Sequence, residues 1–497
     1  MPDTTDTLSP ARDRLRSGRL GAGSVAFLTL AAAGPFLVVG GVIPTGMAQT
    51  GLAGFLVAFV VVGAAFAVYC VGYLAMGRQL PSDAPGGFYP YISSGLGRVP
   101  GVGATWVAVV AYTALTVGLY GLIGDTASTL LETATGVRLP WWLLAATALG
   151  VVSVFGLAHI TTNRTVLGIF LVAEIAVILT FITVDLTHPA PGPLPLDLLT
   201  PGSLFGHGGG TFALLALSVL GIVGAELAPL YRNEAREPRR GVARATYATI
   251  AVLVGIFALA TWAMAVNVGR DNLVAAAADT KAPPLFFAGA VAHLGPHAAT
   301  VGQAFLITSA LAGALAFHNT AVRYLSDLGR DRTGPAILGR RSSSGTPKVA
   351  SLVQSAVGGI AILAVAISGA EPMTALFYFG GTSGAVGIIT LLTVTAVAIV
   401  VYFARHPHAV GTRVPWVRVS SVIAALALAA LLVLVVANLG ALLNEPDGSA
   451  APVVVFGIYL GAFLVGVVWA LRLRHTDPAR FDAIADPASA AVLGGAR

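Results

Sequence analysis

The sequence predicts an all-α integral membrane protein of about twelve transmembrane helices. They are expected to form a five-plus-five inverted repeat with discontinuous helices 1 and 6, plus two extra helices. Three observations carry this. Hydrophobic residues make up 56% of the chain and charged residues only 10%, against roughly 25% charged in ordinary soluble domains, and the mean hydropathy is +0.85. Apolar windows of about 20 residues, each able to cross ~30 Å of hydrocarbon, recur from Ser24 to Leu473. The first and sixth windows are interrupted by glycine and proline, and broken spans at matching places in two halves point to an inverted repeat with a midplane site.

The predicted helices fall at about 24–50, 52–76, 101–131, 140–159, 165–186, 208–231, 241–268, 297–326, 347–369, 372–403, 416–441 and 452–473. Residues 1–20 and 476–497 are read as terminal tails around one polytopic domain, 21–475. Its first repeat covers about 24–186, its second about 208–403, and the extra helices about 416–473. Helix 1 carries Gly34-Pro35, Gly40-Gly41 and Pro44; proline removes a backbone donor and clashes with the preceding turn, so this span cannot run straight. Arg78 to Tyr89 is turn-rich, and the Pro- and Gly-rich stretch 187–207 has no Lys or Arg, as expected of an external loop. Segment 269–296 is placed at the same outer surface. Helix 6 holds Gly221-Ile222-Val223-Gly224-Ala225-Glu226 inside an apolar run from Thr211 to Leu230. An ionised carboxylate at that depth costs at least ~2.5 kcal/mol and usually faces a cavity, a partner or a proton path. Freed backbone groups are tolerated there only where they line a cavity or protein.

Charge fixes the orientation. The net charge is +6, yet all but Arg138, Arg270 and Lys281 of the 28 basic residues fall on the side of the membrane where these spans place the N-terminus. That asymmetry predicts cytoplasmic termini and makes the lipid bilayer, not nucleic acid, the basic partner. The first 20 residues are polar and basic and lead into a full-length span, which predicts no cleaved signal peptide. The single cysteine, Cys70, excludes an intramolecular disulfide.

Several segments together resemble a known family. Gly224-Ala225-Glu226 with Asn233-Glu234-Ala235-Arg236-Glu237-Pro238-Arg239-Arg240 is similar to the sixth-helix signature of the amino acid–polyamine–organocation superfamily. Gly86-Gly87-Phe88-Tyr89-Pro90-Tyr91-Ile92 with Gly95-Leu96-Gly97-Arg98 resembles the segment leading into the family's helix 3. Phe317-His318-Asn319-Thr320, Arg323 to Asp331, and Thr346-Pro347-Lys348-Val349-Ala350 resemble the end of helix 8 and the start of helix 9. The resemblance runs in order over about residues 24–403. It implies a leucine-transporter-like fold in the cell's inner (plasma) membrane, with substrate held between broken helices 1 and 6 by freed amides and carbonyls. The positions it assigns are Ala32, Ala33, Gly34 and Pro35 in helix 1, and Leu220, Ile222, Val223 and Gly224 in helix 6. Gly34-Pro35 replaces the family's G-x-G break, and Leu220 stands where an aromatic gate is expected.

Other residues are candidates for coupling. Glu226 could be a proton-linked gate or a cap on a freed backbone group. Glu174 is alone in the middle of helix 5, and a carboxyl withdrawn from water is a candidate proton carrier; its alternative role is a hydrogen bond to a neighbouring helix. Related carriers place a lysine there, in lieu of a sodium ion. Thr308 and Ser309 match a hydroxyl pair that holds sodium in related carriers, although hydroxyls in membrane helices more often bond their own backbone or a neighbour. His318 and Asn319 could relay protons or simply pack, and Tyr112, Tyr120 and Phe379 could wall the pocket. No H-E-x-x-H, G-x-S-x-G, paired-cysteine or phosphate-loop pattern is present, so neither a metal nor a cofactor is expected and the chain is not read as an enzyme. The expectation is a secondary active permease for an amino acid or related amine, coupled to protons in preference to sodium. A sodium symporter or an exchanger is the alternative, followed by a membrane sensor of amino acids.

Overall fold

The computed structural model describes residues 20–80, 87–157, 160–237, 240–279, 284–342, 346–409, 414–446 and 448–484. Most of both predicted tails, the turn-rich stretch 81–86, Pro238-Arg239, Lys281 and Arg413 lie outside the described residues. Among the described residues every long element is a helix, and eleven are long and apolar enough to cross a membrane. The predicted fourth span is described over Trp141–Leu157, where it is helical.

Helix 1 is assembled from pieces. Ala22–Ala33 ends at Gly34, which takes the left-handed conformation at φ +56°, and Pro35 begins the next piece, Pro35–Leu37. A wide π turn, Val38–Val42, follows and leads into Ile43–Thr50. That turn takes up the register that Pro44 disturbs, since proline in a regular helix would clash with the carbonyl four residues back. Helix 6 runs Gly209–Ile222, breaks at Val223 and Gly224, and resumes as a tighter 3-10 segment, Ala225–Glu234. Helix 3, Arg98–Thr135, is the central strut and packs against helices 8, 10 and 12 (His297–Arg330, Phe379–Arg405 and Ala451–Thr476). Helix 5 is Ile160–Thr187, helix 7 Arg240–Val268 and helix 9 Lys348–Ser368. Ile360, Leu363 and Ile367 on helix 9 are exposed, the pattern of a lipid-facing surface.

The described ends of the two predicted tails pack on the bundle. Leu20 is buried and pairs with Ala235, and the Arg236 amide donates to the Leu20 carbonyl at 2.8 Å. At the other terminus Pro478–Asp482 forms a short helix held by an Arg98–Asp482 ion pair of 3.1 Å. Leu20 and Ile484 supply apolar area that the tail composition obscures.

The end of the bundle that carries the basic residues is tied together by buried polar contacts. Tyr89 donates to Asp331 at 2.8 Å, the Phe88 amide donates to the Tyr324 hydroxyl at 3.2 Å, and Arg323 donates to the Leu230 carbonyl at 3.2 Å. Burial and the neighbouring Asp331 carboxylate push the Tyr89 phenol well above the usual tyrosine range.

Candidate functional site

The helix 1 break is held by side chains from helices 5 and 8. Gly34 turns the chain, Pro35 has no amide hydrogen, and the next two amides leave the helical pattern. Phe36 N–H donates to Glu174 Oε1 at 2.5 Å, and Leu37 N–H approaches Ser309 Oγ at 3.4 Å. Ser309 in turn donates to the same Glu174 oxygen at 2.7 Å. Glu174 and Ser309 are both buried, so the three groups form one water-poor junction between helices 1, 5 and 8. A side chain at Gly34 would meet Ser309 Oγ at 3.3 Å, which leaves glycine as the residue that fits both the turn and the neighbour.

At the helix 6 break Glu226 folds back on its own backbone. Gly224 N–H donates to Glu226 Oε2 at 2.7 Å, and Tyr112 of helix 3 donates to Glu226 Oε1 at 3.0 Å. Tyr112 stacks on Tyr324 of helix 8 with ring centroids 5.9 Å apart. Gly224 has φ +112°, and a Cβ there would lie 2.8 Å from the Ala33 nitrogen. The two breaks therefore touch, with a carboxyl at each. Ala32, Ala33, Gly34, Pro35, Ile222, Val223 and Gly224 gather at this junction, whereas Leu220 is one turn back and half-buried.

The predicted hydroxyl pair divides. Ser309 joins the junction, but Thr308 donates to the Phe305 carbonyl of its own helix at 3.1 Å. His318 sits elsewhere: its Nε2 is 3.1 Å from Ser351 Oγ on helix 9. Tyr120 packs against Gly358 of that same helix. Both of these contacts are to helix 9. Of the aromatic candidates only Tyr112 reaches a break.

Sequence reasoning missed a phenylalanine cluster on the other side of the helix 1 break. Phe36 lies 5.8 Å from both Phe286 and Phe287, 5.9 Å from Phe305 and 6.4 Å from Phe181, by ring centroids. Phe181 is two helical turns beyond Glu174 on helix 5, so both sit on one face. The cluster is an apolar plug between Glu174 and the bundle end opposite the basic one. Its signal in the sequence was the Phe286-Phe287 pair, which a loop assignment conceals.

Two buried carboxyls, each bonded to a backbone amide at a helix break, can exchange a proton or engage a cation, and their bonds tie the broken backbone to helices 3, 5 and 8. Among the described residues no cluster of three or more His, Cys, Asp or Glu could hold a metal ion. In comparison with known proteins, the sequence model of one family, described as amino acid permease, matches residues 24–479. No curated protein matches the chain.

Proposed function

The chain belongs to the amino acid permease family, and we propose that it is a secondary active carrier for an amino acid or a related small amine, coupled to protons. Membership of this transporter family, within the amino acid–polyamine–organocation superfamily, brings the leucine-transporter-like all-α membrane fold. The observation that carries the finer reading is the bond from Phe36 N–H to Glu174 at the point where helices 1 and 6 break against each other.

Substrate occupies that junction in this reading, and helices 1 and 6 move against the scaffold of helices 3, 4, 8 and 9. Glu174 couples the movement. As a carboxylate it is a strong acceptor for both Phe36 N–H and the Ser309 hydroxyl. Protonation removes the charge that strengthens these bonds and loosens helix 1 from helices 5 and 8. Glu226 acts in the same way between helix 6 and Tyr112. The preference for protons over sodium rests on the two buried carboxyls, Glu174 and Glu226, one at each break.

Uptake of a labelled amino acid mixture, then amines, into proteoliposomes with imposed gradients tests the reading. Accumulation driven by an inward proton gradient and abolished by a protonophore is the expected result. Strict sodium dependence, or uptake only against preloaded substrate, would replace proton coupling with the sodium or exchange alternative.

A further inference from the structure

The hydrogen bonds at the helix 1 break engage its freed amides and leave two backbone acceptors without donors. In an unbroken helix the amides of Phe36 and Leu37 would donate to the carbonyls of Ala32 and Ala33. Here those amides turn to Glu174 and Ser309, so both carbonyls lose their helical donors, and among the described residues no other donor replaces them. The Gly224 amide, which a substrate could otherwise use, is held by Glu226. Buried carbonyls without donors are costly unless something satisfies them.

A ligand carboxylate meets two obstacles at such a junction. It would set acceptors against acceptors and bring a further negative charge beside Glu174 and Glu226. A ligand ammonium has three N–H donors and no acceptor, which complements what the junction presents. From this geometry we infer that the site takes an organic amine cation without a carboxylate, the decarboxylated counterpart of an amino acid, with its ammonium on the Ala32 and Ala33 carbonyls beside Glu174 and Glu226. The inference rests on reading the touching breaks as the substrate site. In effect Glu174 occupies the amide that an amino acid's own carboxylate would need.

Matched pairs that differ by one carboxylate test it: ethanolamine with serine, tyramine with tyrosine, histamine with histidine. The full-length protein would be purified in detergent, its thermal unfolding followed as each compound is titrated, and uptake of the same compounds measured in proteoliposomes. At least one amine should stabilise the protein, and its amino acid partner should need a concentration about tenfold higher or more, a difference of about 1.4 kcal/mol. Glu174→Gln, which keeps the acceptor oxygen but not the charge, should weaken that amine about tenfold while the protein stays folded in size-exclusion chromatography. Tighter binding of the amino acids, or an unchanged amine affinity in the folded variant, would overturn the inference and leave the permease reading standing. If no compound of either kind binds or is taken up, the permease reading fails and this inference with it.

Discussion

Glu174 on helix 5 accepts the backbone amide of Phe36, 138 residues earlier in the chain, at 2.5 Å. A side chain on one helix thereby completes the backbone of another at the point where proline and glycine have broken it. The same carboxylate oxygen takes the Ser309 hydroxyl, so one atom joins three helices.

Ser309 and Thr308 should behave differently although they are adjacent. Ser309→Ala removes a donor to a buried carboxylate, an interaction of about 1.5–3 kcal/mol. We expect lower thermal stability and about a tenfold loss of transport. Thr308→Ala removes a bond back to its own helix, which adds little to helix stability, and should leave transport within about twofold of wild type. Equal losses in uptake assays would speak for a shared ion site.

Gly224→Ala should abolish transport. Its Cβ would sit 2.8 Å from the Ala33 nitrogen at φ +112°, and a non-glycine residue in such a conformation costs about 1–3 kcal/mol before any clash. Gly255 on helix 7 has open space where a Cβ would go. Gly255→Ala should be neutral or stabilising by about 0.5–1 kcal/mol, and comparing both melting curves separates the effect of the break from that of glycine in general.

Tyr112→Phe keeps the ring on Tyr324 but deletes the donor to Glu226. The protein should fold, with transport reduced about tenfold through the lost bond to a buried carboxyl. Wild-type uptake by this variant would show that Tyr112 serves packing alone.

Much of this was legible in the sequence, for physical reasons that differ by element. The breaks at Gly34-Pro35 and Gly224 could be read because proline and glycine act on their own backbone. Glu174 stood out because a lone carboxylate in an apolar span is expensive. Its partner could not be read: a backbone amide carries no residue signature, and the pairing depends on how helices 1 and 5 pack. Ser309 was weighed as a cation ligand or as a bond to its own backbone or a neighbouring helix; it donates to Glu174 on helix 5, an acceptor the sequence could not name. Phe286 and Phe287 were hidden in a segment placed only at the outer surface, which folds as the helix Leu285–Leu294.

The Tyr89–Asp331 contact has a signature in alkaline pH. The folded protein holds the Tyr89 proton more tightly than the unfolded chain does, whose tyrosines ionise near ~10. This contribution is therefore complete below pH ~10 and is lost as pH rises above it toward the folded value. Tyr89→Phe should flatten part of the decline in melting temperature above pH ~10 and lower stability at neutral pH. An unchanged alkaline slope would place the decline in other groups.

The most direct test of the central claim is proton-driven uptake by wild type and Glu174→Gln in parallel proteoliposomes, at equal protein incorporation. The account predicts uphill accumulation in the wild type under an inward proton gradient and none in the variant, because glutamine keeps the hydrogen-bond acceptor but cannot carry the proton. Undiminished gradient-driven accumulation by Glu174→Gln would contradict it and leave Glu174 as a purely structural tie between helices 1, 5 and 8.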